Sequence, residues 1–365
     1  MKRLICVLLL LRLFPVSCSA PDAGEETARL IEIYQVEEGL TDEELAVSGE
    51  LRLDGGYDAQ GALGRLWDRF LLSLKEAVRR ELGFAVKLTV LSLLCAFSAV
   101  LSAEKKPPPG MELSACCLAT VLLTGEMNGL FAEVNETLFR LSDYGKAAFP
   151  AFFSAVAASG AAVSASVKYA SVSFAAAVYM EFSERFVLPL IYTYLSVSVC
   201  SGICDNPVLN AVGRFVKWCC VTAMTLLTVA FCTYIGMSGI ISGSADAAAV
   251  KAAKSVISTA LPVVGGILSD SASAILSAAS IIKNSAGVFC LIAISVLCAG
   301  PFAILSVKML LLKAAAAVSE SSCGGRFSSL LGSMGTVMAM LLGLVGSYGV
   351  VLFCSFMSGI RMAGP

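Results

Sequence analysis

The sequence contains no histidine. Its absence removes the commonest metal ligand and the usual acid–base residue near neutral pH. His-ligated haem, His-containing zinc sites and Ser-His or Cys-His nucleophile pairs are excluded with it. Charge is scarce too: Asp, Glu, Lys and Arg make up 15% of the 365 residues. A soluble domain carries roughly 25%, because its surface must be wetted. No GxxxxGK[ST] phosphate loop occurs, so any ATP hydrolysis would belong to a partner. None of the 14 cysteines forms a CxxC pair. No basic stripe of the kind that grips nucleic acid is present. On these grounds no catalytic residue, metal, cofactor or nucleic-acid partner is expected.

What is there is apolar. Hydrophobic residues make up 57% of the chain, and mean hydropathy is +0.83. Long apolar runs separated by sparse charges mark a chain built for a bilayer. The net charge of -1 hides an asymmetry: residues 21–83 hold 15 Asp/Glu against 7 Lys/Arg, and the remainder is mildly basic. The expected fold is all-α, a polytopic helical membrane bundle of about seven spans.

Residues 1–20 read as a signal peptide. Lys2-Arg3 gives the positive start, Leu4 to Leu13 the short apolar core and Cys18 to Ala20 the small residues before cleavage. An uncleaved anchor is the alternative. Residues 21–61 are acidic and glycine-containing, and read as a flexible external segment. In 62–83, Leu63, Leu66, Trp67, Phe70, Leu71, Leu74, Val78 and Leu82 recur at three- and four-residue steps, with charges filling the other turns. This predicts an amphipathic helix lying on the membrane, anchored by Trp67, Phe70, Arg79 and Arg80, or docked on a partner.

The multi-span domain is expected over 84–365, with spans at 84–103, 113–131, 149–167, 186–202, 216–241, 286–307 and 330–358. Polar breaks are expected at 104–109, Arg140 to Lys146, 205–207 and 319–326; residues 168–185 fit either a span extension or a short re-entrant piece. Glu126 and Asn128, late in an apolar run, are candidates for lining a polar path, since a charge in the bilayer faces protein or water. Glu181 and Arg185, four residues apart, are expected to pair on a helix.

Residues 244–285 are too polar for a lipid-facing span and too apolar for a free loop. Pro262 and Gly265-Gly266 divide the block into two helices, which predicts a re-entrant or interfacial hairpin. Gly239 and Gly243 form a GxxxG, and with Gly265 and Gly266 they favour close helix packing. Asp246, Asp270, Lys283 and Asn284 are the block's candidate path or gate residues. They suit either a hairpin that lines a passage or one that packs and docks.

The same block carries a family resemblance. Ser238-Gly239, Ser242-Gly243, Ala245-Asp246, Lys251-Ala252-Ala253-Lys254, Pro262 to Gly266, Ser269-Asp270 and Ile282 to Gly287 resemble the central signature of the stage III sporulation protein AE family. The layout of signal, acidic segment, amphipathic helix and spans is similar along the chain; the short acidic segment and cysteine-rich spans depart from the pattern. The resemblance implies a multi-pass protein of the mother-cell membrane surrounding the forespore of an endospore-forming bacterium. It implies sibling membrane and ring-forming proteins of one operon, a partner ATPase, and a forespore membrane partner across the intermembrane space. Together these would form a channel or feeding complex needed for endospore development. A stand-alone secondary transporter of a small solute or ion is the rival reading, motivated by Glu126 and the broken hairpin.

Overall fold

The computed structural model describes residues 40–49, 57–101, 109–204, 206–260, 265–322 and 325–362, with side chains at 95–96, 98–101, 109, 238–276, 278 and 321–322 excepted. The elements are helices: α1 Asp42–Ser48, α2 Ala59–Leu101, α3 Pro109–Ala158, α4 Ala162–Phe182, a π turn Ser183–Val187, α5 Leu188–Cys204, α6 Pro207–Ala260, α7 Gly265–Ser322 and α8 Gly325–Ile360. Five stretches are long and apolar enough to cross a membrane: Gly110–Ala158, Ala162–Cys204, Pro207–Met237, Ala279–Glu320 and Gly325–Ile360. Several hydroxyls inside them close on their own helix. Thr120 donates to the Cys116 carbonyl at 2.8 Å, Thr228 to Met224 at 2.8 Å and Ser355 to Val351 at 2.7 Å. Such back-bonding keeps Ser and Thr satisfied where water is scarce.

Three local departures from the sequence reading have physical causes. The break expected at Arg140 to Lys146 is absent, and α3 runs through it. Its charges pair instead: Lys146 donates to Asp143 at 2.9 Å, and Arg140 binds Glu44. The chain turns later, at Ser159 to Ala161, where Gly160 adopts a φ of 97° that other residues rarely reach. Residues 168–185 are helical throughout. Pro189 lacks an N–H, so the Arg185 carbonyl loses its regular partner. The ladder shifts register just before it, and the Leu188 N–H donates to Ser183. Finally, residues 62–83 and the first expected span share the single helix α2. Its 43 residues reach about 64 Å at 1.5 Å per residue.

The cysteines behave as small apolar residues. Cys116, Cys220 and Cys290 are buried, and Cys200 and Cys204 are free thiols at the end of α5.

The core gathers around α7 and α8, which run antiparallel and close. Gly349 lies against Cys298, Gly346 against Phe302 and Gly335 against Leu312 and Lys313. Small residues let the backbones approach. α2 runs parallel to α7: Ala62 and Leu66 pack with Ile292 and Val296, and Ala77 packs with Ala303 and Val307. α3 runs the other way along α7, from Glu126 beside Lys308 to Phe152 beside Gly287. Both ends of α8 are capped by charges from elsewhere. Glu112 accepts the Arg326 N–H at 2.9 Å, and Lys283 donates to the Met362 carbonyl at 2.6 Å. Each sign suits its end of the helix dipole.

Candidate functional site: a buried charge cluster and a polar groove

α7 carries no charged residue between Lys283 and Lys308, a run of about 36 Å at 1.5 Å per residue. Lys308 ends that run. Its side chain is 4% exposed, and its Nζ lies 2.7 Å from Glu126 Oε2 on α3 and 3.3 Å from Glu81 Oε1 on α2. Glu81 is equally buried, whereas the Glu126 side chain keeps 43% of its exposure. The ammonium also sits 5.6 Å from the centroid of the Phe84 ring. A buried ammonium requires such partners, because removing one member leaves a charge in low dielectric. Two carboxylates on one ammonium leave an excess negative charge, and the open side of Glu126 is where water can reach it.

The cluster stands at one end of a polar strip. On α3, Glu126, Glu133, Thr137 and Arg140 follow at seven-, four- and three-residue steps and so share a face. Glu133 feels the charges of Arg80 and Lys308. On α2, Arg69 and Ser73 face the same space. With Thr137, Arg140 and Glu44 they line a cleft of about 210 Å³, whose remaining wall is Val296, Leu297, Gly300 and Pro301 of α7.

α1 lies across that end. Glu44 accepts two bonds from Arg140, at 2.7 and 2.8 Å, and takes the Thr41 N–H at 2.9 Å. Glu43 pairs with Arg69 at 3.1 Å, and Arg65 donates to the Val47 carbonyl at 3.1 Å. Burial alone would raise the Glu44 carboxyl, but the Thr41 N–H and Arg140 outweigh it and hold it below its usual value. Tyr57 donates to the Ser48 carbonyl. Its ring meets Phe289 edge-on at 5.7 Å, and burial pushes its hydroxyl well up.

The residues singled out from sequence fall in different places. Glu126 is in the cluster, while Asn128 is exposed on another face of α3. Lys283 is 2% exposed and caps α8, about 37 Å along α7 from Lys308; Asn284 beside it is half-buried. Asp246, Gly239 and Gly243 lie on the α6 backbone, and Gly265, Gly266 and Asp270 on α7, with side chains outside the description. Pro262, the expected break of the hairpin, lies outside the described residues. Trp67 is 48% exposed and leans on Phe70, which turns inward to α7; Arg79 and Arg80 are exposed. Glu181 and Arg185 do pair, on the surface. Sequence reasoning missed Lys308 and Glu81. The available signals were a lone charge closing an apolar run, and an acid on the inward stripe Ala77, Glu81, Phe84.

Five membrane-length helices, a buried charge cluster and a polar strip define a multi-pass helical membrane protein. The sequence profile of stage III sporulation protein AE matches residues 57–362, and the chain belongs to that family. It is similar to the stage III sporulation protein AE of Bacillus subtilis (strain 168), at 21% identity over 244 residues. That match covers 65% of this chain and 60% of the relative. No solved structure matches.

Proposed function

We propose that this chain is a non-enzymatic membrane component of a mother cell–forespore channel complex, needed for endospore development. Its seat would be the mother-cell membrane surrounding the forespore. Its partners would be sibling membrane and ring-forming proteins, an ATPase and a forespore membrane protein. Family membership across residues 57–362 carries this reading. The finer topology belongs to it as well: an N-terminal signal over 1–20, about seven crossings, and a hairpin at 244–285.

The working centre in this reading is the Glu81–Lys308–Glu126 cluster. Three helices meet there through charges that tolerate neither lipid nor separation. The test is deletion of the gene in its own host. Forespores should fail to mature, and the wild-type chain supplied in the mother cell should restore them. Normal maturation of the deletion strain would refute the reading. Supply from the forespore alone restoring it would refute the location.

A further inference from the structure

The two sides of the bundle differ at one depth. Gly349 of α8 lies beside Cys298 of α7, and Tyr179 of α4 donates to Ser347 of α8 at 2.5 Å and lies 3.3 Å from Thr228 of α6. At that level α4 and α6 present Phe174, Leu226 and Val229 outward, and α6 has no charge between Lys217 and Asp246. On the far side, α2 passes Ile292 to Lys308 carrying Arg69, Glu76, Arg79 and Arg80, and α3 passes the same level carrying Glu133 and Arg140. A charge at mid-bilayer costs roughly 2.5–3.5 kcal/mol on insertion scales, so this side faces water or protein rather than acyl chains.

Between α2 and α3 the surface of α7 is open at Gly300. A side chain added at Gly300 would meet nothing within 4 Å. Pro301 supplies no N–H, so the Leu297 carbonyl, on the wall of the same cleft, lacks its i+4 donor and is free to take one from water or solute. Along the same side of α7, Glu133 and Arg80 lie between this cleft and the Lys308–Glu126 pair. At the Gly300 end, α1 ties one wall to the other through Glu43 to Arg69 and Glu44 to Arg140.

We propose that the groove between α2 and α3 is a water-accessible path along α7 for small hydrophilic solutes, and that α1 stoppers its Gly300 end by bridging both walls. The proposal rests on the channel reading above and adds the route and its closure.

The experiment uses the full chain with its operon partners, in native membranes and a cysteine-depleted background. Single cysteines are placed at Ser73 on α2, Thr137 on α3 and Val229 on the opposite side. A charged, membrane-impermeant methanethiosulfonate is applied from each side in turn. Ser73→Cys and Thr137→Cys should label, and Val229→Cys should not. Adding Glu43→Gln and Glu44→Gln should raise the labelling rate at both wall positions several-fold. Because the two wall positions sit on separate helices, misfolding of one variant leaves the other to decide. Silence at both, with α1 neutralised, would overturn the path; wall labelling unchanged by the α1 substitutions would overturn the stopper. Spore counts from the same strains separate this from the parent reading. Labelled walls in strains that need no such protein to sporulate would sink the developmental role alone. Unlabelled walls with sporulation still dependent on the chain would sink the path alone.

Discussion

Lys308 is held between one carboxylate with no exit to solvent and another that keeps nearly half its exposure. The two partners should therefore respond unequally. Lys308→Met strands Glu81 and should cost about 3–5 kcal/mol, the range for breaking a buried pair. Thermal unfolding in detergent would show it, and most of the loss should return in Lys308→Met with Glu81→Gln. Glu126→Gln, hydrated on one side, should cost no more than about 1 kcal/mol. Equal losses for Glu126→Gln and Lys308→Met would contradict the asymmetry. Glu44 gives a pH signature. Its carboxyl is held below the ordinary value, so the docking of α1 is fully present above the unfolded value of about 4.3. Docking weakens as pH falls through the lower folded value. Amide exchange over Asp42–Ser48 should accelerate in that acid window, and Arg140→Ala should move the acceleration to higher pH. Exchange flat with pH in the wild type would refute the Glu44–Arg140 tie.

At the scale of elements, α7 and α8 stand or fall by their small residues. A methyl at Gly359 runs into Phe152, and one at Gly346 comes within 3.0 Å of Phe302. Gly359→Val should cost roughly 1–3 kcal/mol through overpacking. Gly236→Ala on α6, with open space around it, should be neutral or gain up to about 1 kcal/mol of helix stability. Midpoints in the same detergent would compare them, and a Gly359→Val protein as stable as Gly236→Ala would refute the close contact. The helical nature of these segments was legible, because apolar runs this long leave few other structures in lipid. Their ends were less so. Arg140 to Lys146 looked like a loop because its charges find partners only through α1 and along the helix face. Gly160 set the real turn. α2 was read as two segments because its composition changes near Gly83 while its backbone does not. Glu126 stood out as an acid within an apolar run. Lys308 and Glu81 did not, because the contact joining Glu126 to Lys308 spans 182 residues and no local pattern records it.

On the scale of the whole molecule, apolar and charged surfaces share one depth on opposite sides of the bundle. A scaffold needs helices that pack. It has no evident need for a polar strip beside the most apolar helix, or for an ion cluster at the end of that strip. Use of the cluster is what separates a conduit from a scaffold. The most direct measurement is the heat-resistant spore count of a deletion strain supplied with the Glu81→Gln, Lys308→Met double variant, with its membrane level measured in the same cells. The account predicts a wild-type amount of protein in the membrane and a loss of spores of at least tenfold (roughly the range that residues coupled to a functional site reach). Full spore numbers at a normal protein level would mean the charges hold helices together and nothing more, and the cluster would cease to be the centre of this protein's function.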